Sequence, residues 1–239
     1  MRGQNRSSAV MQQRQEARDA LDDFPTPMWA TRALCVWLEA QGHFLEDLTA
    51  REPCANRGYM VEPLKEFFAA VTASDVHDYG VGYAVEDYLF GPLPDVTGWT
   101  VMNPPFRLAQ QFIERALETS GSGVAVFVRS AFLESEARYD ELFSKNPPTA
   151  ILQFSERVVI HKGVMRKKGE KYWDPEADNG EGKEKGKWRS ASSATAYCWL
   201  IWETFGPLDE RGTEFHWIPP CAKELEQPND YEVRGHNEH

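Results

Sequence analysis

Apolar residues along the chain are grouped in blocks that predict helices and strands in alternation. Where they recur every three or four residues, as between residues 28 and 41, they predict an amphipathic helix. Short apolar runs bounded by turn residues predict strands. This order of elements is typical of an α/β fold. The predicted helices cover 28–41, 61–71, 107–119 and 134–143, and the predicted strands cover the start of 49–60, then 71–76, 83–89, 99–102, 123–128, 150–154 and 195–202.

The predicted strand at 99–102 ends at an unusual turn. The sequence Asn103-Pro104-Pro105-Phe106 follows it directly. Because proline has no N–H group for a strand ladder, the strand must stop at this point. A helical pattern begins just after the turn. The turn therefore lies at the carboxyl end of a strand, which is where open α/β sheets bind their ligands.

The groups in this turn suit the binding of a planar amino group. The residue before a proline is pushed out of the helical region, so Asn103 is extended and a neighbouring carbonyl can point outward. The Asn103 side-chain oxygen and the Pro104 carbonyl can then accept both amino hydrogens, and the Phe106 ring offers a face for stacking. A plain strand-ending turn is the alternative interpretation. A second Asn-Pro-Pro, at Asn146, lacks the aromatic residue and precedes a strand, so we interpret it as a turn.

The tetrapeptide at 103–106 resembles the catalytic motif of the amino-methyltransferases that modify N6 of adenine with S-adenosylmethionine. The resemblance implies that Asn103 and the Pro104 carbonyl bind the amino hydrogens, that Pro105 helps to keep the turn rigid, and that Phe106 stacks on the base. It also implies direct methyl transfer to an adenine that has left the duplex. No cysteine follows a proline in this turn, which argues against 5-methylcytosine chemistry.

An earlier loop strengthens the resemblance. The sequence from Glu52 to Gly58 is similar to the family motif Asp/Glu-Pro-x-Ala-Gly-x-Gly, with Asn56 where the family usually has glycine. Asn is the residue other than glycine that best tolerates positive φ, so we expect the turn to keep its shape. The acid at its start disfavours a phosphate and suits a ligand with an ammonium group. Arg57 is a bulky residue in this loop, and its side chain could weaken cofactor binding.

Further residues complete the cofactor site that the resemblance implies. Thr26-Pro27 is similar to an N-terminal motif that helps to hold the methionine part of S-adenosylmethionine. Asp75 ends a predicted strand, where an acid usually accepts hydrogen bonds from ribose hydroxyls. Asp87-Tyr88 matches a pair that contacts the cofactor adenine. The alternative interpretations are a helix or turn cap for Asp75 and an ordinary loop acid for Asp87. The predicted cofactor residues are Thr26, Pro27, Glu52, Pro53, Cys54, Ala55, Gly58, Asp75, Asp87, Tyr88 and Asn103.

The order of these motifs resembles that of DNA adenine methyltransferases, notably small phage or prophage forms. The resemblance covers residues 24 to about 203. It implies the class I S-adenosylmethionine-dependent fold, a Rossmann-like mixed sheet of seven strands whose last strand lies antiparallel between the fifth and the sixth. We expect a flexible polar leader at 1–22, the methyltransferase domain at 23–205 and a partly disordered C-terminal extension at 206–239.

Charge is distributed unevenly along the chain. The net charge of −11 counts against unspecialised nucleic-acid binding. Residues 157–189 contain ten Lys or Arg and six acids, so this segment carries +4 and the remainder carries −15. Within it, 163–193 has the composition of a basic mobile insertion, either a target-recognition element that contacts DNA phosphates or a charged solvated loop. In the first case Trp173 or Trp188 could support a flipped base. The predicted phosphate contacts are Arg166, Lys167, Lys168, Lys185 and Lys187.

Other features of the sequence limit the class of protein. No run approaches the roughly 20 apolar residues of a membrane span. Residues 1–16 lack the apolar core of a signal peptide. The four cysteines are widely spaced and form no pair with metal-ligand spacing. We therefore predict no metal and a cytoplasmic protein of a bacterial host or a phage-infected cell.

Three alternatives to DNA adenine methylation stay open at this stage. The same chemistry could act on adenine in RNA or on a glutamine amide in a protein, since related tetrapeptides serve both. The third alternative is a non-catalytic binding protein on the same fold. Asn56 and Arg57 in the cofactor loop are its best support.

Overall fold

Alternate residues of the buried strands face two separate apolar layers. Trp99 and Phe127 pack on one side of the central sheet, while Val124 and Val126 pack on the other. Because strand side chains alternate between faces, a strand inside the sheet needs apolar cover on both sides. Helices supply that cover, and three layers result. The computed structural model describes residues 22–178, 185–204 and 212–235.

The described residues form ten strands, which are β1 (Thr49–Glu52), β2 (Ala70–Asp75), β3 (Ala84–Val85), β4 (Thr97–Met102), β5 (Ser120–Arg129), β6 (Ala150–Phe154), β7 (Lys171–Asp178), β8 (Lys185–Ser190), β9 (Tyr197–Glu203) and β10 (Glu214–Ile218). Eight of them form one sheet in the order β10-β6-β9-β5-β4-β1-β2-β3. Neighbours in this sheet are parallel except at β9, which is antiparallel to both β5 and β6. This arrangement confirms the predicted mixed sheet and its antiparallel strand.

The helices are divided between the two faces of the sheet. One face is covered by α1 (Met28–Ala40), α2 (Val61–Phe67) and, near the C-terminus, α5 (Ala222–Leu225). The other is covered by α3 (Ala109–Thr119) and by α4 (Glu136–Arg138), which continues into a π-helical turn at Tyr139–Phe143. Short 3-10 turns lie at Leu45–Asp47 and Ser130–Leu133. None of the helices in the described ranges combines the length and the apolar composition that a membrane crossing needs.

The predicted count of seven strands is wrong by one, because the C-terminal extension adds β10 to the sheet. β10 is parallel to β6, with Phe215 in register with Ile151. Its apolar signal is weak, since Ile218 is buried whereas Phe215 and Trp217 are exposed. An edge strand can be held by backbone pairing alone, and apolar periodicity does not reveal such pairing.

The basic insertion contains regular structure that its composition did not predict. β7 and β8 form an antiparallel hairpin in which Trp173 lies opposite Trp188. The two indoles are 50% and 65% exposed, and their ring centres are 5.9 Å apart. On the other face, the Arg166 guanidinium lies 4.1 Å from the centre of the Tyr172 ring. The hairpin therefore presents an aromatic pair to solvent.

The helix predicted at 61–71 is shorter in the structure. Helix α2 ends at Phe67 because the residues after it pair with β1. Helix α1 has no side-chain cap, and the hydroxyl of Thr26, just before it, accepts a hydrogen bond from Asn103. Residues 1–21, nearly all of the predicted leader, lie outside the described residues.

A buried charge cluster fastens the C-terminal extension to α1. The Arg32 guanidinium donates to both Asp230 carboxylate oxygens, at 2.7 and 2.9 Å, and to both Glu66 oxygens, at 2.8 Å. The Arg32 and Asp230 side chains are only 5% and 3% exposed. Burial opposes the charge of Arg32, but the two carboxylates outweigh it and raise the pKa of the guanidinium. The two carboxylates therefore keep the Arg32 guanidinium charged inside the protein.

We expect Arg32→Met to lower the free energy of unfolding by about 3–5 kcal/mol, because it leaves the Asp230 carboxylate buried without a cation. Urea titration monitored by tryptophan fluorescence measures this change. The matched control is Lys65→Met, which breaks the exposed Lys65–Glu62 pair and should cost less than about 1 kcal/mol. Equal losses in the two variants would contradict the expectation.

Candidate active site

Three neighbouring parallel strands end in polar side chains at the same edge of the sheet. β1 ends at Glu52, β2 ends at Asp75, and Asn103 follows directly after β4. The carboxyl ends of parallel strands share one edge, so the three side chains come together there. They line a single cavity, which we call the edge cavity.

Asn103 is held by its amide nitrogen. The two amide hydrogens are donated to the Phe24 carbonyl, at 2.9 Å, and to the Thr26 hydroxyl, at 3.0 Å. This engagement fixes the orientation of the amide. Among the described residues, no group donates to the Asn103 Oδ1 or to the Pro104 carbonyl. The turn therefore keeps two acceptor oxygens without a described donor, and one of them belongs to Asn103, which lines the edge cavity.

Glu52 is a fully buried carboxyl group that lines the edge cavity. Its Oε1 accepts from the Cys54 N–H at 2.8 Å, whereas its Oε2 has no partner in the described part of the chain. Burial raises the pKa of Glu52 well above its ordinary value, and the nearby Asp75 charge adds to the rise. A buried oxygen without a partner is costly unless a ligand donates to it. The cavity therefore favours a ligand with a cationic or hydrogen-donating group.

Asp75 supports the loop that follows β1. Its Oδ2 accepts from the Asn56 N–H at 2.9 Å and its Oδ1 from the His77 N–H at 3.0 Å. Burial raises the pKa of Asp75, and these two N–H groups partly offset the rise. Each carboxylate oxygen can accept a second hydrogen bond, so Asp75 can also bind a hydroxyl group. Burial and the charges of Glu52 and Asp75 raise the pKa of the Cys54 thiol, which makes it a poor nucleophile.

The loop keeps the shape that glycine would allow. Asn56 has a φ of 48°, and its side-chain oxygen accepts from the Arg57 N–H at 2.7 Å. The prediction that Asn adopts positive φ here is confirmed. The Arg57 guanidinium binds Asp23 at 2.9 Å and lies 4.8 Å from the centre of the Tyr79 ring. Arg57 does not line the edge cavity, so its bulk leaves the cavity clear.

Residues 22–25, which we call the strap, line the edge cavity at Asp22, Phe24 and Pro25. The Asp22 carboxylate accepts from the Phe106 N–H at 2.8 Å, and the Asp23 carbonyl accepts from the Gly163 N–H at 2.8 Å. The cavity encloses about 70 Å³. Ligand pockets usually offer at least about 300 Å³. A ligand the size of a nucleoside therefore requires the strap to move.

Arg129 covers one face of the Phe106 ring. Its guanidinium carbon lies 4.0 Å from the centre of that ring and 5.8 Å from the centre of the Phe24 ring. The two rings also contact each other, with centres 5.5 Å apart. Arg129 ends β5, which neighbours β4, so the sheet places it beside the turn. A planar ligand on this face must displace the guanidinium or stack on it.

Asp87 and Tyr88 lie away from the edge cavity, which departs from the sequence prediction. Tyr88 stacks on Phe112 of α3, with ring centres 5.3 Å apart, and its hydroxyl is 3.4 Å from the Thr119 hydroxyl. Asp87 accepts from the backbone N–H groups of residues 89–90, at 3.0 and 3.1 Å. It therefore closes a turn. Both residues line a separate groove.

The predicted phosphate-binding cations fall into two groups. Lys185 and Lys187 lie on β8 of the hairpin. Arg166, Lys167 and Lys168 precede the hairpin and line a second cavity. In the described ranges, no three His, Cys, Asp or Glu side chains are grouped as metal ligands.

The structure thus gathers part of the predicted cofactor site and adds residues to it. Tyr59 and Met60 line the edge cavity directly after the glycine of the loop, a position that could have identified them. Arg129, which contacts the Phe106 ring, could have been identified in the sequence as the lone charge at the end of an apolar run. No feature of the sequence marked Val76 or Tyr79 as residues of the edge cavity. Of the predicted residues, those that line the cavity are Thr26, Glu52, Cys54, Ala55, Asp75, Asn103 and Pro105, and those that do not are Pro27, Pro53, Gly58, Asp87, Tyr88, Pro104 and Phe106.

Comparison with known proteins identifies the fold. No protein-family model matches the sequence, and a search of curated proteins finds no match. A candidate class I S-adenosylmethionine-dependent methyltransferase from Listeria monocytogenes is similar in structure, with a TM-score of 0.51 and 14% identity over 85% of this chain and 67% of the other. A modification subunit of a candidate type I restriction enzyme from Vibrio vulnificus gives a TM-score of 0.51 and 14% identity over 95% of this chain and 53% of the other.

A third structure agrees with these two. The methyltransferase subunit of a type I restriction-modification system from Streptococcus thermophilus gives a TM-score of 0.53 and 10% identity over 90% of this chain and 51% of the other. The chain therefore has the Rossmann-like fold of the class I S-adenosylmethionine-dependent methyltransferases. It spans about half the length of the two restriction-modification subunits.

We expect Gly58→Ala to destabilise the loop by more than backbone strain alone. Gly58 has a φ of +81°, and a Cβ there would lie 2.2 Å from the Tyr83 hydroxyl. Gly82→Ala is the matched control, because Gly82 has a φ of +82° and open space around it. Strain should cost each variant about 1–3 kcal/mol. Urea titration should give the Gly58 variant the larger loss, and equal losses would contradict the role of the Tyr83 contact.

Proposed function

We propose that this protein transfers a methyl group from S-adenosylmethionine to the N6 amino group of adenine in DNA. The observation that carries the proposal is the position of Asn103. Its amide nitrogen is engaged, its oxygen is free, and it shares one cavity with Glu52 and Asp75. An acceptor for an amino group thus lies beside two acids that suit a cationic nucleoside.

The chemistry of the edge cavity fits S-adenosylmethionine. The cofactor supplies a methyl group on a positively charged sulfur, and it also carries an ammonium group and a ribose. Glu52, whose Oε2 lacks a described partner, would accept from the ammonium group. Asp75 would accept from the ribose hydroxyls in addition to its two N–H groups. Because the enclosed space is small, the strap would open to admit the cofactor.

The turn at 103–106 would hold the target amino group. Asn103 Oδ1 and the Pro104 carbonyl would accept its two hydrogens, which draws the nitrogen towards a tetrahedral shape and exposes its lone pair. The contacts to Phe24 and Thr26 keep the Asn103 oxygen in place before the substrate arrives. Preorganised positioning and electrostatics of this kind supply much of the rate in enzymes.

Phe106 would stack on the target adenine after Arg129 leaves its face. The Arg129 guanidinium is planar and now occupies the position of a stacked ring. A cation–π contact contributes about 0.5–2 kcal/mol. Stacking of a base on an aromatic side chain contributes about 1–3 kcal/mol. A flipped base can therefore replace the guanidinium at little net cost.

DNA is the substrate that the comparisons and the hairpin favour. Two structures with this fold are described as subunits of type I restriction or restriction-modification systems. The target adenine must leave the duplex, because its amino group is inaccessible in the stack. The exposed Trp173 and Trp188 offer aromatic surfaces that would fill the gap or support the flipped base, and Lys185 and Lys187 on the same hairpin would contact phosphates.

One experiment separates this proposal from its alternatives. The protein is incubated with methyl-labelled S-adenosylmethionine and, in parallel, with unmethylated DNA, RNA or a protein pool. The proposal requires N6-methyl-2′-deoxyadenosine in the DNA digest by nucleoside mass analysis. Label in RNA adenine or in protein glutamine would show that the substrate is RNA or protein instead of DNA. Absent binding of S-adenosylmethionine at millimolar concentration in calorimetry would favour a non-catalytic binding protein.

We expect Asn103→Ala to lower the rate of methyl transfer by at least about 10²–10³-fold, the usual effect of losing one preorganised polar group. Cofactor binding should persist, because Glu52 and Asp75 remain. Labelled-methyl transfer and calorimetry measure the two effects. The matched control is Asn146→Ala in the second Asn-Pro-Pro, whose side-chain amide makes no hydrogen bond in the described part of the chain, since only its backbone groups are bonded. Full activity in the Asn103 variant would refute the role of the turn.

We expect Glu52→Gln to weaken S-adenosylmethionine binding about 10- to 100-fold, since a charge-assisted hydrogen bond contributes about 1.5–3 kcal/mol. Burial raises the pKa of Glu52, so the protonated acid stabilises the fold below its ordinary pKa and that contribution is lost as pH rises through the folded value. The variant should therefore be no less stable than the parent at pH 7. Urea titration and calorimetry test both effects, with exposed Glu46→Gln as control.

Cofactor binding should also release a proton from Glu52, because a cationic ligand favours the carboxylate. Calorimetry in two buffers with different ionisation enthalpies measures this release. It should be largest at a pH below the raised pKa of Glu52, vanish above it and be absent in the Glu52 variant. A release of the same size in parent and variant would contradict the assignment.

A further inference from the structure

A second cavity lies beside the edge cavity, and cations line much of it. It encloses about 370 Å³ between the start of α1, the segment before the hairpin and α5. We call it the basic cavity. Its five cationic residues are Arg157, Arg166, Lys167, Lys168 and Lys223.

The two acids of the basic cavity are already engaged. Glu156 accepts from the backbone N–H groups of residues 221–222, each at 2.8 Å. Glu226 pairs with Lys167 at 2.7 Å and accepts from the Tyr231 hydroxyl. Arg166 also pairs with Glu170 at 2.9 Å, so five cations against three acids leave a local excess of two positive charges on a chain whose net charge is −11. Such a concentration of one sign attracts an anion.

The cations are arranged for an extended anion. In the described part of the chain, neither Arg157 nor Lys223 pairs with a carboxylate, and Arg157 donates only to the Ala194 carbonyl. The Lys167 and Lys168 side chains are 59% and 57% exposed. Exposed, separated cations can each contact a different phosphate of a strand. A single compact phosphate would need donors that converge on it from buried positions.

The basic cavity adjoins the edge cavity. Thr26 lines the edge cavity and Pro27, the next residue, lines the basic cavity. Tyr59 of the first and Tyr231 of the second pack on the same pair of buried methionines. A strand whose target amino group reaches Asn103, at the rim shared with the edge cavity, would therefore have its neighbouring phosphates near the basic cavity.

We propose that the basic cavity binds the phosphate backbone of the substrate strand next to the target nucleotide. The inference rests on the proposed function, since it takes a nucleic-acid strand as the substrate. It adds Arg157 and Lys223 to the predicted phosphate contacts. Both lie outside the insertion at 163–193, so the backbone is held by the body of the protein as well as by the hairpin.

The test compares two double variants of equal charge. Arg157→Gln with Lys223→Gln removes the two cations of the basic cavity that have no acidic partner. Lys65→Gln with Lys145→Gln removes two exposed cations that line neither the edge cavity nor the basic cavity. Filter binding of a short unmethylated duplex is measured at several salt concentrations. Each phosphate contact contributes about 0.9 to the salt slope, so the first variant should flatten it by about 1.8. The control should keep the parent slope.

The expected result includes weaker binding to duplexes of every sequence and unchanged S-adenosylmethionine binding in calorimetry. An unchanged slope, or an equal change in the control, would overturn the inference. Lost binding of inorganic phosphate with unchanged duplex affinity would also overturn it, because the cavity would then serve a free phosphate compound. A different result would contradict the proposed function alone. If methyl transfer occurred only on RNA, and the same difference in salt slope were measured on RNA, then DNA would not be the substrate but the backbone site would be retained.

Discussion

The site depends on two hydrogen bonds that Asn103 donates, one to the Phe24 carbonyl and one to the Thr26 hydroxyl. They join the end of a central strand to the segment before α1, so the orientation of one amide and the position of the strap are coupled. An aspartate at this position would have no hydrogen to donate and would face two oxygen atoms instead. The Asn103 amide therefore leaves one free oxygen beside the edge cavity, and its nitrogen also holds the strap in place through the Phe24 carbonyl.

The frame around this contact is held by apolar packing, whereas the strap beside it is held mainly by polar contacts. β4 and β5 are buried on both faces, and the prolines after Asn103 restrict the turn. The cluster of Arg32, Glu66 and Asp230 holds the C-terminal extension against α1 from a buried position. The strap is held by polar contacts, which are the Asp22 bond from the Phe106 N–H, the Asp23 pair with buried Arg57 and the Phe24 bond from Asn103. Opening the strap would exchange these contacts for contacts with water, while the apolar packing of the frame stays intact.

Local pattern was a reliable guide wherever burial sets the pattern. The strands at 99–102 and 150–154 were predicted from apolar runs, and the antiparallel last strand follows from the family resemblance. β10 and the hairpin were missed, because edge pairing and an exposed two-stranded ribbon need little apolar burial. Asp87 and Tyr88 matched a motif, but nothing in a motif shows which groove a loop lines, and Tyr88 packs against α3.

The sequence by itself determined the α/β order, the proline turn after the fourth strand and the positions of Glu52, Asp75 and Asn103 at strand ends, because these depend on neighbours along the chain. Tertiary structure alone decided which groups meet. The hydrogen bonds of the Asn103 amide nitrogen leave the Asn103 oxygen available to a ligand. The packing of the sheet also places Arg129 on the Phe106 ring, and it brings Lys223 and Arg157 to the same cavity. These contacts join segments far apart in sequence. Their geometry follows from the packing of the whole sheet, which no local pattern encodes.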